Sequence, residues 1–124
     1  MTEDEWLGGL RHLPDETIIQ LHFELQEKIK KHYKLRETGA NLQKAIALCE
    51  QQIALSPLTL DAMKRKHQDG VNEYQKIAGK IHPAPDFYYP SHYGYKQLFA
   101  ILKKQKNLEK LAEMKVKHDK EGWK

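Results

Sequence analysis

Residues 14–37 read PDETIIQLHFELQEKIKKHYKLRE, and this stretch decides the fold class. Its apolar residues fall at Ile18, Leu21, Leu25, Ile29 and Tyr33, in steps of three and four that draw one stripe down a helix. Leu13-Pro14-Asp15-Glu16 opens the helix, with proline in the first turn and acids at the positive end of the dipole. Thr38-Gly39 supplies a stop after Glu37. Asn41 reads as the cap of a second helix with Leu42, Ala45, Ile46, Cys49 and Ile53 on one face. So short a connection makes the two helices antiparallel.

Further along, Ser56-Pro57 reads as the close of one helix and the start of another, because serine caps well and proline is tolerated at the first helical position. The third stripe is Leu60, Met63, His67, Gly70, Tyr74, Ile77 and Ile81, a heptad seam that packs inside the monomer or against a second copy. Gly70 marks either a close helix contact or a weak point. Residues 82–95, HPAPDFYYPSHYGY, hold three of the five prolines and five aromatic residues. Such a segment is extended and not helical. A fourth helix follows near 92–105 with Tyr95, Leu98, Ile101 and Leu102 inward. After a turn at Lys106-Asn107, a fifth near 108–121 carries Leu108, Leu111, Ala112 and Val116 towards Trp123. Residues 4–10 add a short turn or helix through Trp6, Leu7 and Leu10, and no segment alternates as a strand does.

The expected fold is therefore all-α: stacked antiparallel helical hairpins in one domain over 1–124. Its parts are an N-terminal segment 1–13, a first hairpin 14–57, a long helix 58–81, a crossover 82–91 and a second hairpin 92–123. A chain of 124 residues with 40% hydrophobic content supports one core and not two. The single cysteine, Cys49, excludes a disulfide framework and CxxC-type sites. No apolar run approaches 18 residues, and the acidic start lacks a signal-peptide core, so a cytoplasmic protein with no membrane contact is expected. With five helices to pack against one another, a monomer is the simpler expectation.

Charge is segregated. Residues 1–27 hold one basic and seven acidic residues, whereas the remainder is basic, for a net +4. The basic part either folds back on the acidic part or faces an acidic partner. The clusters Lys28/Lys30/Lys31/Lys34/Arg36, Lys64-Arg65-Lys66 and Lys103/Lys104/Lys106 are spread around their helices, without a nucleic-acid motif beside them.

No catalytic motif is present, neither HExxH, GxSxG nor a glycine-rich phosphate loop. His82, Asp86 and His92 form the one metal-capable cluster close in sequence, and they lack a fourth ligand. Cys49 sits on an apolar face with no cation one turn away, as a small hydrophobe does. The aromatic crossover is either a lid over the core or a binding surface, because rigid aromatics bury area at little entropic cost. Its candidate partner-binding residues are Phe87, Tyr88, Tyr89, His92, Tyr93 and Tyr95, of which Phe87 and Tyr95 should turn inward.

Residues 90–123 resemble a tetratricopeptide-type unit. Tyr95-x-x-Leu98-Phe99-x-x-Leu102 follows the spacing of the repeat's first helix, and the turn at 104–107 leads to a second helix. The segment departs from the pattern at Phe99 and Leu111. A weaker copy lies upstream, with Ala45, Cys49 and Pro57 in the second-helix and terminal-proline positions. The resemblance implies a helical scaffold whose concave face binds a peptide or partner helix, and it implies no chemistry and no cofactor. The expected function is a non-catalytic protein-interaction module, an adaptor or regulator. A nucleic-acid-associated protein acting through basic surfaces is the alternative, and a small metal-dependent enzyme the third.

Overall fold

The computed structural model describes residues 2–124, and among these it is all-helical, without strands. The elements are α1 (Glu3–Leu10), α2 (Asp15–Lys34), α3 (Asn41–Ala78), α4 (Tyr93–Lys104) and α5 (Leu108–Glu121). α2 and α3 form the antiparallel hairpin that the first stripe implies. Their turn is tied by His32 Nδ1 and Asn41 Oδ1 at 2.9 Å and by Asn41 Nδ2 donating to the Thr38 carbonyl at 2.7 Å. Asn41 is thus the first residue of α3 and a clasp on the turn, where a capping role was expected.

The largest departure from the sequence reading is at Ser56-Pro57, where the helix does not break. α3 runs through Pro57 for 38 residues. A proline inside a helix removes one backbone donor and strains the carbonyl four residues back, at about 3 kcal/mol. That carbonyl belongs to Ile53, and Ser56 Oγ takes up the orphaned acceptor at 2.6 Å. Gln52, Ile53, Ala54, Leu55 and Ser56 are all buried, because α3 lies between two apolar clusters. One joins Ile29, Cys49, Ile53 and Leu60 to Tyr95, Leu98, Leu102, Leu111 and Trp123. The other joins Leu7, Ile18 and Leu25 to Leu55 and Ala62. Burial on both sides outweighs the local preference for a break.

Arg65 grips Asp15 with two parallel bonds of 2.9 and 2.8 Å, joining the start of α2 to α3 and holding the Asp15 carboxyl below its ordinary range. Beyond that tie α3 continues through residues 66–78, about 20 Å of helix at 1.5 Å per residue. The expected seam therefore runs out: Leu60 is buried and Met63, His67 and Tyr74 are half-buried, but Ile77 and Ile81 are each 78% exposed. Gly70 is not a close contact, since a Cβ there would meet nothing within 4 Å, and the helix runs on through it. Gly70→Ala is accordingly expected to raise stability by about 0.5–1 kcal/mol, measured by urea unfolding.

α4 and α5 form the second hairpin. Tyr95, Leu98, Ile101 and Leu102 are buried as their stripe requires. In α5 Leu111 is buried, but Ala112, Leu108 and Val116 face solvent and His118 takes the inward place. The helix rotates so that its last turn, with Glu121 and the following Trp123, reaches the polar centre of the bundle. No described helix is long and apolar enough to cross a membrane.

Candidate functional site

The crossover leaves the end of α3 at Gly79, whose φ of +70° suits a residue without a Cβ. It then runs back along α3 as an extended strap. His82 packs edge-on to Tyr74 with ring centroids 4.8 Å apart. His67 Nε2 lies 3.2 Å from the Pro85 carbonyl, and the His67 ring meets Phe87 at 5.8 Å. Lys64 Nζ sits 4.8 Å above the Tyr89 ring. The strap ends at His92, which reaches the carbonyl of Gln52. Prolines at 83, 85 and 90 suit this path, because an extended segment beside a helix needs no ladder of backbone donors.

Along the strap the aromatic residues divide into two kinds. Phe87 and Tyr89 pack edge to face at 5.2 Å and are half-buried against the core. Tyr89 also covers Gly122, where a Cβ would come within 2.8 Å of the ring and φ is +93°. The Lys124 amide donates to the Pro90 carbonyl at 3.0 Å, closing the strap against the residues after α5. Tyr93 is half-buried, donates to Gln97 Oε1 at 3.3 Å and carries Lys30 Nζ 5.3 Å from its ring. Tyr88 alone among these rings stands free, 74% exposed. His92 and Tyr95 are wholly buried, so neither reaches the surface. Sequence periodicity points inward for Tyr95; for His92 a surface place was expected, and its capping role instead carries it into the core.

Behind the strap lies a buried polar cluster. His92 Nδ1 accepts from the Tyr95 amide at 3.1 Å and so caps α4, while Nε2 donates to the Gln52 carbonyl at 3.2 Å. One nitrogen accepts and the other donates, which fixes the neutral ring with its proton on Nε2. Burial, with the neighbouring His22 ring second, lowers the His92 pKa to about 3; burial lowers that of His22 to about 4. The two rings meet edge-on at 5.1 Å, and the Trp123 ring lies 4.8 Å from His92 and parallel to His22 at 6.1 Å. Gln52 Nε2 donates to the His22 carbonyl at 2.9 Å. Gly94 lets α4 approach, since a Cβ at that position would run into Gln52 Oε1.

Glu121 gathers further polar groups, while His22 Nδ1, Gln52 Oε1, Thr59 Oγ1 and His118 Nε2 are buried without a hydrogen-bond partner. Its Oε1 accepts from Tyr95 Oη at 2.8 Å and from Trp123 Nε1 at 3.0 Å, and lies 2.8 Å from Ser56 Oγ. Burial and this contact push the Tyr95 hydroxyl pKa up. An acid in the last turn of a helix sits at the unfavourable end of the dipole. Here the donors of three other segments offset that placement. The sequence reading misses this cluster because its members are scattered over positions 22 to 123. The one signal available was the acid at the wrong end of α5, followed by Gly122-Trp123.

His82, Asp86 and His92 are not brought together. His82 lies against Tyr74 and His67, and its Nδ1 accepts from the Ala84 amide, whereas both nitrogens of His92 are engaged in the core. Among the described residues no three His, Cys, Asp or Glu side chains are arranged to hold a metal ion. Burial pushes the Cys49 thiol up to about 12, well away from a reactive thiolate.

Fold and site define an all-helical hairpin domain with an aromatic strap. No protein-family model matches the chain, and comparison with curated proteins and with solved structures finds no match.

Proposed function

We propose that this protein is a non-catalytic interaction module, an adaptor or regulator that binds a partner protein at the free end of α3 and its strap. The observation that carries the reading is the exposure of Ile77 and Ile81 at the tip of α3 and of Tyr88 further back on the strap. Isolated surface apolar residues are ordinary, but a group of them on a projecting helix end and its rigid strap suits an interface. Pro85 and Pro90 flank Tyr88 and lower the ordering cost of binding. Two members of the polar cluster support a non-catalytic role: both ring nitrogens of His92 are engaged by backbone, and Glu121 Oε1 is held by Tyr95 and Trp123.

Two variants separate a binding role from a structural one. Tyr88→Ala combined with Ile81→Ser is expected to abolish recovery of a nuclease-resistant partner from host lysate with the melting temperature unchanged. Tyr89→Ala is expected to lower stability by about 2–3 kcal/mol, because its ring covers Gly122 and carries Lys64. Full recovery by the double variant would overturn the reading.

A further inference from the structure

The opposite end of the bundle carries a second surface. There the last turn of α2 and the turn between α4 and α5 converge on Tyr33. The Arg36 guanidinium stacks 4.5 Å from the Tyr33 ring centroid and donates to the Tyr33 carbonyl at 3.1 Å. Lys104 Nζ donates to Tyr33 Oη at 3.3 Å. Ion pairs among the described residues are Lys30–Glu27, Arg65–Asp15, Lys110–Glu50 and His118–Asp119, so neither Arg36 nor Lys104 has a carboxylate within 4.0 Å. Lys106 also holds a left-handed φ of +58°, a conformation that glycine or asparagine adopts more cheaply.

Between the cations lies a hollow of about 330 Å³ lined by Tyr33, Arg36, Glu37, Leu42, Ile101 and Lys104 together with Gln105. Leu42 and Ile101 give it an apolar lining, and its charged lining is two cations, Arg36 and Lys104, against one carboxylate, Glu37. Helix dipoles account for part of the basic charge, because α2 and α4 both end here. They do not account for an apolar depression at the centre of that charge.

The geometry points to a docking site for an acidic, amphipathic peptide segment of a partner protein. Its carboxylates would meet Arg36 and Lys104, and one apolar side chain would fill the hollow over Leu42 and Ile101. Charge complementarity selects the acid, and the apolar lining selects the apolar anchor. A nucleic-acid strand fits less well. The Tyr33 face that a base would stack on is taken by Arg36, and the apolar lining of Leu42 and Ile101 offers a phosphate backbone no partner. This surface is separate from the free end of α3, so it stands or falls independently of the reading given there.

Fluorescence anisotropy at about 50 mM salt tests the proposal with three labelled probes. These are a short peptide of glutamates around two leucines, the same peptide with serines for the leucines, and a poly-dT oligonucleotide of similar length. The leucine peptide is expected to bind at least tenfold more tightly than the serine peptide. Arg36→Glu with Lys104→Glu should weaken it at least tenfold, with an unchanged melting curve. Amide shifts in the wild-type protein should centre on Tyr33, Leu42 and Ile101, a readout that needs no variant to fold. Equal binding of the two peptides, indifference to charge reversal, or shifts elsewhere would overturn the proposal. Tighter binding of poly-dT that is lost in the variant would also overturn it and give the surface to nucleic acid.

Discussion

Glu121→Ala is expected to remove about 3–5 kcal/mol of stability, while Glu121→Gln loses about 1 kcal/mol. The alanine leaves Tyr95 Oη and Trp123 Nε1 without the acceptor they share. Each buried donor stranded in this way costs about 1–3 kcal/mol. Ser56 retains the Ile53 carbonyl, so its share of the loss is the smallest. Glutamine keeps an sp² oxygen in the same place and preserves the arrangement. Thermal unfolding followed by circular dichroism separates the two, with the alanine variant melting about 10 °C or more below the wild type. Equal melting temperatures for the two variants would show that the two donors find other acceptors.

Acid is expected to unfold the protein well above the pH at which its carboxyl groups are all protonated. His22 and His92 are held neutral in the fold, with pKa values of about 4 and about 3, against 6.5 in an open chain. A histidine whose folded pKa is depressed stabilises the fold fully above about pH 6.5, and that contribution is lost as pH falls towards the folded value. Each tenfold of proton affinity given up is worth about 1.4 kcal/mol, so by pH 4 the two rings cost the fold several kcal/mol. That is a large part of the stability of a small domain. His118 from α5 and Glu121 also face this space, with His118 against the Tyr95 ring and bonded to the exposed Asp119. Protonated His92 loses the acceptor that caps α4, so the α4–α5 hairpin should release first. His22→Leu is expected to move the acid midpoint down by roughly half a pH unit or more, because it removes one of the two depressed rings. A midpoint unchanged in that variant would locate the acid sensitivity elsewhere.

The helix pattern was legible wherever one face alone is buried. Ile18, Leu25 and Ile29 in α2, and Tyr95, Leu98 and Leu102 in α4, follow the period because solvent lies on their other side. The pattern fails where that condition fails. Around Pro57 both sides of α3 are covered, so the flanking turns carry buried polar residues and a proline that local rules assign to a break. Past Arg65 nothing covers Ile77, which keeps the spacing without the burial, and Ile81 falls outside the helix, which ends at Ala78 before the left-handed Gly79 and not at 81. The aromatic strap was visible as composition, but its division into covered and free rings depends on Lys64, His67 and Gly122, which are distant in sequence. For the same reason the cluster around Glu121 stays hidden until α5 is docked.

The uninterrupted course of α3 also sets a distance. From Leu42, beside the basic hollow, to Ile77 at the far tip, the helix spans about 50 Å. Pro57, the natural hinge along that span, is flanked by buried residues, with Ser56 bonded to the Ile53 carbonyl. One polypeptide gripping both ends would need at least about 15 fully extended residues between its two contact points. A flexible connector would match the span best at about 80 residues, and a shorter one would gain little avidity from the second contact. If both proposed surfaces bind, the span favours two separate partners or one with a long tether, held apart by the length of α3.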